Sequence, residues 1–319
     1  MHHSSLLQSQ QPDWNSHHIM GLGPLGRIPG KRIYSDDGKE ILITHSIGPH
    51  IESINHLMSS SAKQRCNFKG SLQWMDSKED PKILHFIELY NFSIIAYNYF
   101  IPRKDGILLS GGSFVSPDHK GEYVLLLSEA LDYLKSSGFR AVYGFANQNS
   151  YPIVKHPFMG YQESKEFRQI ILYHPRAVNT ENVHVSQIPF SRAVQIEGYD
   201  EYTKWRIHKP VKQYDILKVE NAYAVIGKNT PNNMDVLTIS GVNSLNQYFN
   251  RLKLLTQYLW AEYPNWTVSI YLNNAQLYKM ISDEFKLSEF SYERHLMFKV
   301  LDKSSFNMWD IEMIDSDVF

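Results

Sequence analysis

The chain is poor in cysteine, with Cys66 alone among 319 residues. One thiol forbids an internal disulfide and any zinc site built from several cysteines. An excess of one charge is also missing. Lys and Arg number 32 against 33 Asp and Glu, a net charge of −1, so the basic surplus of a non-specific nucleic-acid binder is absent. No apolar run reaches the ~18 residues of a membrane span. The start, MHHSSLLQSQQPDWNSHHIM, has no basic segment followed by an apolar core and does not read as a secretory signal. The expected location is cytoplasmic. No Gly-x-Ser-x-Gly elbow occurs and Cys66 lies in a polar stretch, which leaves nucleophilic catalysis by Ser or Cys without support. His45, His50, His85 and His156 have no partners at ligand spacing, so no metal site is expected.

What is present is globular. Hydrophobic residues make up 43% and aromatics 13%, which excludes disorder of the whole chain. The length suggests about two domains. Residues 1–30 form a polar leader punctuated by Gly and Pro. Strands are expected at 40–46, 83–90, 93–101, 107–115, 140–146 and 169–173, and a short helix at 50–60. Apolar positions 123, 124, 127, 131 and 134 fall at helical spacing, with Gly138 placed to end the helix. After 174–190, strands are expected at 214–219, 222–226, 235–240, 266–272 and 294–300. Ser244 is placed to cap a helix that Pro264 stops, and 274–282 reads as a second helix.

Both halves show the same order: Trp and Pro, hairpin, strand, amphipathic helix, strand, Asn, short helix, last strand. Trp74 and Pro81 open the first, and Trp205 and Pro210 the second. This points to an internal duplication, with domains at 31–178 and 187–319, and with Trp74 and Trp205 as core anchors of each repeat. The 20 tyrosines, clustered at 90–99 and 258–278, fit packing in β-rich cores or the lining of a cleft.

The stretch 106–163 carries the chemistry. A strand runs into a turn at Gly121 that opens a helix, and a helix start offers free N–H groups and the positive end of the dipole, a phosphate site. Lys120 adds a charge. Val115-Ser116-Pro117-Asp118-His119-Lys120-Gly121 resembles the strand-to-loop lead-in of the GNAT superfamily of acyl-CoA-dependent N-acyltransferases. Asn147-Gln148-Asn149-Ser150-Tyr151 resembles its Asn-x-x-Ser turn, and Trp205-Arg206 with Pro210 and Tyr214 resembles an element of its tandem members, as does the end from Trp309-Asp310 to Phe319. The resemblance implies an α/β (α+β) chain of two GNAT-like domains, each a mixed, mostly antiparallel sheet flanked by helices. It implies acetyl-CoA or another acyl-CoA as co-substrate, with no metal, a small-molecule amine acceptor such as an amino sugar or sugar nucleotide, and direct attack of the amine in a ternary complex. The sheet would splay to admit the cofactor arm along Gly112, Ser113 and Val115 near Asn147 and Ser150. The pyrophosphate would rest on Lys120, Gly121, Glu122, Tyr123 and Val124.

Departures from that pattern set the alternatives. The two loop positions where the family has glycine hold Tyr123 and Leu125, and Glu122 adds a negative charge. The position of the family's acid tyrosine holds Val154, leaving Tyr151 and His156 as candidates, with Glu88 as a candidate base or a solvent-facing strand residue. Gly111-Gly112 reads equally as a close approach or a β-bulge, and Asn147 as a cofactor contact or a helix cap. The second half has no glycine loop, so no CoA site is expected there. The alternatives are a non-catalytic GNAT-like binding or assembly protein, and a Fem-type aminoacyl transferase. The sequence leaves the oligomeric state open.

Overall fold

The computed structural model describes residues 30–34, 38–61, 67–76, 82–174, 185–188, 201–209, 214–229, 232–289 and 294–302. Most of the leader, Cys66, Pro81, Pro210 and the segment from Trp309 to Phe319 lie outside them. The chain begins with β1 (Lys31–Tyr34), β2 (Lys39–Thr44), α1 (Ile51–Ser61) and α2 (Lys69–Met75). It continues with β3 (Leu84–Tyr90), β4 (Ser93–Pro102), β5 (Ile107–Val115), α3 (Glu122–Ser136), β6 (Ala141–Ala146), α4 (Tyr151–Val154), β7 (Gln162–Glu163) and β8 (Arg168–Leu172). The second half holds β9 (Val185–Ile188), α5 (Glu201–Ile207), β10 (Tyr214–Val219), β11 (Ala222–Asn229) and β12 (Asn233–Ser240). It ends with α6 (Leu245–Glu262), β13 (Thr267–Leu272), α7 (Ala275–Glu284), β14 (Leu287–Glu289) and β15 (His295–Val300).

Local chemistry explains the elements. β3 and β4 turn at Asn91 and Phe92, both at positive φ, the two-residue turn whose twist suits a hairpin. α3 buries Leu126, Leu127, Ala130, Leu131, Tyr133 and Leu134 on one stripe. It ends at Gly138, whose φ of 82° lets its N–H and that of Phe139 close on the carbonyls of Lys135 and Leu134.

Two mixed sheets result. The eight-stranded sheet runs β1-β2-β3-β4-β5-β6-β15-β7 and the seven-stranded sheet β14-β8-β13-β12-β11-β10-β9. The strand expected to close the first half, β8, therefore pairs with β13 in the second sheet, Arg168 opposite Leu272. The strand expected to end the second half, β15, pairs along the whole of β6, His295 opposite Ala146 and Val300 opposite Ala141. Each half lends its last long strand to the other. The short strands β7 and β14 stay at home as edges, and bound the guests.

The core follows from this. One cluster packs α3 and α4 on the outer face of the first sheet, through Phe86, Phe100, Leu127 and Val154. Another packs α6 and α7 on the second sheet, through Leu255, Trp260, Ile270 and Ile281. Between the sheets lies a shared cluster that joins α1 and α2 to Tyr97, Tyr99 and Leu109 of the first half and to Trp205, Val225 and Leu237 of the second. The two repeat-opening tryptophans meet there. Trp74 of α2 and Trp205 of α5 stack with ring centroids 3.9 Å apart at 8°. Rather than each anchoring its own repeat, they anchor one repeat to the other.

Candidate active site

β5 and β6 are the two parallel neighbours of the first sheet. Their pairing covers Ile107 to Leu109 opposite Ala141 to Tyr143 and then stops. β6 continues on its far side with β15, and β5 continues with β4 as far as Val115 opposite Ala96. The sheet thus forks. From Ser110 to Val115 the β5 residues are half-buried, and among the described residues no strand pairs with their β6-facing edge. At the apex the strands remain close: a Cβ on Gly144 would lie 3.2 Å from the Ser110 Cβ and 3.3 Å from its carbonyl oxygen. Opposite Tyr99 the ladder skips a residue, with Tyr99 facing Gly112 and Phe100 facing Ser110, so Gly111 is the bulge.

The mouth of the fork leads into α3. The turn is pinned by the Ser116 N–H on the Ile95 carbonyl and the His119 N–H on the Ser116 carbonyl. Gly121 occupies the N-cap without a side-chain cap; the Val124 N–H closes on the Gly121 carbonyl at 3.2 Å, and the helix start carries the positive end of the dipole. No atom lies within 4 Å of where a Gly121 Cβ would sit. The Glu122 carboxylate is met by the Lys39 ammonium at 3.0 Å, which offsets its charge at the helix start. The two positions lacking glycine behave differently. Leu125 is 53% exposed and points away from the core. Tyr123 packs inward beside Tyr161; burial raises its phenol above the ordinary value, and a hydrogen bond with the Ser113 side chain acts the other way. That bond ties the first turn of α3 to the edge of β5. Asn147 is a cap: its Oδ1 accepts the Asn149 and Ser150 N–H groups at 3.0 Å each, and Ser150 Oγ accepts the Asn147 N–H at 3.1 Å.

The second sheet repeats the fork with a more deeply buried strand. β12 and β13 pair in parallel only from Asn233 to Asp235 opposite Thr267 to Ser269. Beyond that point Val236 to Ile239 are buried. The bulge residue, skipped between Val225 opposite Thr238 and Ile226 opposite Val236, is Leu237, where the first sheet has Gly111. The helix after this fork is capped: Ser244 Oγ accepts the Gln247 N–H at 3.2 Å and Gln247 Oε1 accepts the Asn243 N–H at 2.7 Å, a reciprocal arrangement that satisfies two donors at the helix start.

The candidate acid-base residues are dispersed. Tyr151 on α4 donates to Glu163 Oε2 at 2.7 Å, accepts from Lys155 and stacks on His295 at 3.7 Å between centroids. Glu163 Oε1 lies 2.6 Å from His295 Nδ1. Burial raises the Glu163 carboxyl, but the hydrogen bonds from Tyr151 and His295 and the charges of His295 and Lys155 outweigh it and hold it below the usual range. The second sheet has the counterpart: Tyr278 donates to Glu289 Oε1 at 3.0 Å, and Glu289 faces Arg168 at 3.6 Å. In each case a tyrosine and a glutamate of one half hold a basic residue at the start of the strand lent by the other. Recurrence in the second sheet makes this constellation a clasp for the exchanged strand. The clasp gives a pH signature. A carboxyl depressed by folding adds stability above its unfolded pKa of about 4.5 and loses it as pH falls through the folded value. Acid titration of the folded protein should show this loss, and Glu163→Gln should flatten it; an unchanged acid limb in the variant would count against the clasp.

His156 takes no part in it: its Nδ1 faces the Phe158 N–H at 3.3 Å. Glu88 does not face solvent but is 3% exposed. By strand alternation it shares the outer face with Leu84 and Phe86, across the sheet from α1 and α2. His85 is 0% exposed, with Nδ1 2.8 Å from the Tyr97 hydroxyl. Burial, with the charge of His45 adding, lowers its pKa to about 3, so at neutral pH it anchors Tyr97 as a neutral ring. Sequence reasoning missed Tyr99, Glu163 and His295. Aligning Asn147 with Asn274 would have paired Tyr151 with Tyr278 and brought Glu163 within one position of Glu289. Among the described residues no group of three or more His, Cys, Asp or Glu could hold a metal ion, and no helix is long and apolar enough to cross a membrane.

No protein-family model matches the sequence, and no curated protein matches it. Solved structures do. A conserved protein of Enterococcus faecalis V583, described as a probable N-acyltransferase, superposes with a TM-score of 0.59 at 11% identity over 82% of this chain and 73% of its own. A GCN5-related N-acetyltransferase from Kribbella flavida gives 0.55 at 12% identity over 82% and 72%. A tandem GNAT protein from the clavulanic acid biosynthesis pathway gives 0.50 at 12% identity over 84% of this chain and 100% of its own. The chain shares the fold of these solved structures, and at 11–12% identity the likeness is one of fold.

Proposed function

We propose that the chain is an N-acyltransferase that moves an acyl group, acetyl in the first instance, from acyl-CoA to a primary amine, and that only the first fork binds the thioester. The observation that carries this reading is the contrast between the two forks. One has a half-buried edge and is followed by a helix start with no side-chain cap; the other has a buried strand and is followed by a capped helix. The first suits an extended arm that adds to a strand edge and a diphosphate at a helix N-terminus. Residues 120–124 would hold the diphosphate and 112–115 the arm. The amine nitrogen adds to the acyl carbon, the carbon–sulfur bond then breaks with its electron pair leaving on sulfur, and the proton given up by the amine ends on that thiolate to give free CoA. The protein's share is position and N–H groups of β5 that can meet the developing oxyanion. An amino sugar or sugar nucleotide is the acceptor we favour, bound in the cytoplasm on the α1–α2 side.

Thermal denaturation with acetyl-CoA tests it. Ligand at about 100 times its Kd should add about 2.7 kcal/mol. Gly121→Val should abolish that gain while leaving the apoprotein's melting point nearly unchanged, because the site of the added Cβ is open. No stabilisation by CoA or any thioester would sink the proposal. One observation favours a second reading, a non-catalytic scaffold: the Tyr123 hydroxyl bonds Ser113 across the mouth. If Tyr123→Ala alone confers CoA binding, the native fork is closed and the scaffold reading prevails.

A further inference from the structure

The acyl group itself can be argued from the apex of the first fork, on the reading just given. β5 runs from the apex at Ile107–Leu109 to the mouth at Val115. An arm with its phosphate end at α3 and its length along β5 therefore directs its acyl end at the apex. The first residues past the last β5–β6 pair are Ser110 and the bulged Gly111. On the face turned toward the second half, Gly111 is covered by an aromatic ring: a Cβ there would lie 1.9, 2.4 and 2.7 Å from Cε2, Cζ and Cδ2 of Tyr99. Tyr99 is 0% exposed, as is Leu109, and Tyr143 is 2% exposed. Behind the ring stands Tyr97, 5.7 Å away between centroids. Tyr99 packs in the shared cluster with Tyr202 and Trp205 of α5, and Tyr202 in turn carries the Arg103 guanidinium 3.6 Å above its ring. The ring is thus backed by the second half of the chain.

We propose that Tyr99 sets the acyl-chain length: its ring, held over Gly111 by α5, closes the apex so that an acetyl group fits and a long acyl chain does not. The glycine leaves room for the ring, and the ring takes the room an acyl tail would need. The inference also gives the second half a task in the first half's chemistry.

Binding of CoA, acetyl-CoA, butyryl-CoA and octanoyl-CoA to the full chain, measured by thermal shift and calorimetry, decides it. Wild type is expected to bind octanoyl-CoA about tenfold or more weakly than acetyl-CoA, as overpacking requires. Tyr99→Leu should narrow that gap by about tenfold and Tyr99→Phe should keep it, since ring volume is the determinant and not the hydroxyl. Tyr99→Met, a closer match in volume, replaces the leucine variant if that fails to fold. Equal affinity of wild type for acetyl- and octanoyl-CoA overturns the proposal while leaving the CoA site standing. So does unchanged selectivity in a folded Leu or Met variant. Failure of CoA itself to bind removes the site, and the proposal falls with it.

Discussion

Replacing Gly111 with alanine should destabilise the protein by about 3 kcal/mol, at the top of the usual range for overpacking. The new methyl would sit 1.9 Å from the Tyr99 ring, less than real contacts allow. The requirement is space rather than backbone conformation. The ring has little room to retreat, being 0% exposed and packed on Tyr97. The second sheet shows the solution open to the same bulge: a leucine, Leu237, at the bulge and a valine, Val225, beside it. Both are buried in the shared core. The total volume is similar but differently divided. Gly111→Leu combined with Tyr99→Val should therefore recover much of the stability that Gly111→Leu alone loses, a coupling expected only between residues in contact. Urea denaturation of the single and double variants reads this out. Strict additivity would mean that the glycine and the ring do not share one space.

Trp205→Ala should cost about 3–5 kcal/mol, the range for a large buried aromatic. Trp205 is 3% exposed and stacked on Trp74. The Arg206 guanidinium lies 5.7 and 5.8 Å from the two indole rings in a site where cation–π attraction is worth up to about 2 kcal/mol. Trp205→Phe should keep most of the stability. Both sheets should melt together in the alanine variant, because the exchanged strands tie them. The measurement is denaturation followed separately by far-ultraviolet circular dichroism and tryptophan fluorescence. A loss under about 1 kcal/mol would show that the stacked pair is incidental to the joint.

The local rules were readable in the sequence and the pairing was not. The helical spacing of 123, 127, 131 and 134 together with Gly138 predicts α3, and Ser244 predicts the cap of α6, because both rest on neighbours a few residues apart. The repeated order of elements was also legible, since composition alone marks it. What eluded sequence reasoning depends on distant partners. QIILY at 169–173 and RHLMFKV at 294–300 read simply as closing strands, and nothing local says which sheet receives them. α2 and α5 were not expected as helices; each is seven residues long, too short for periodicity to show. Glu163 and His295 meet across 132 positions, and Tyr99 matters because a bulge brings it over Gly111. The fork was anticipated through family resemblance, while the bulge that puts Leu237 in the shared core of the second half has no local signal in the sequence.

The exchange of β8 and β15 bears on how the molecule is made. On the ribosome, β6 is synthesised long before its neighbour, and the first sheet must wait with a gap beside Ala141–Ala146 until His295–Val300 emerges. Separately expressed halves would each carry an orphan strand and a vacant slot cut for the other's. Neither half could then be shed or drift in length without unmaking the other, since each keeps the other's last long strand.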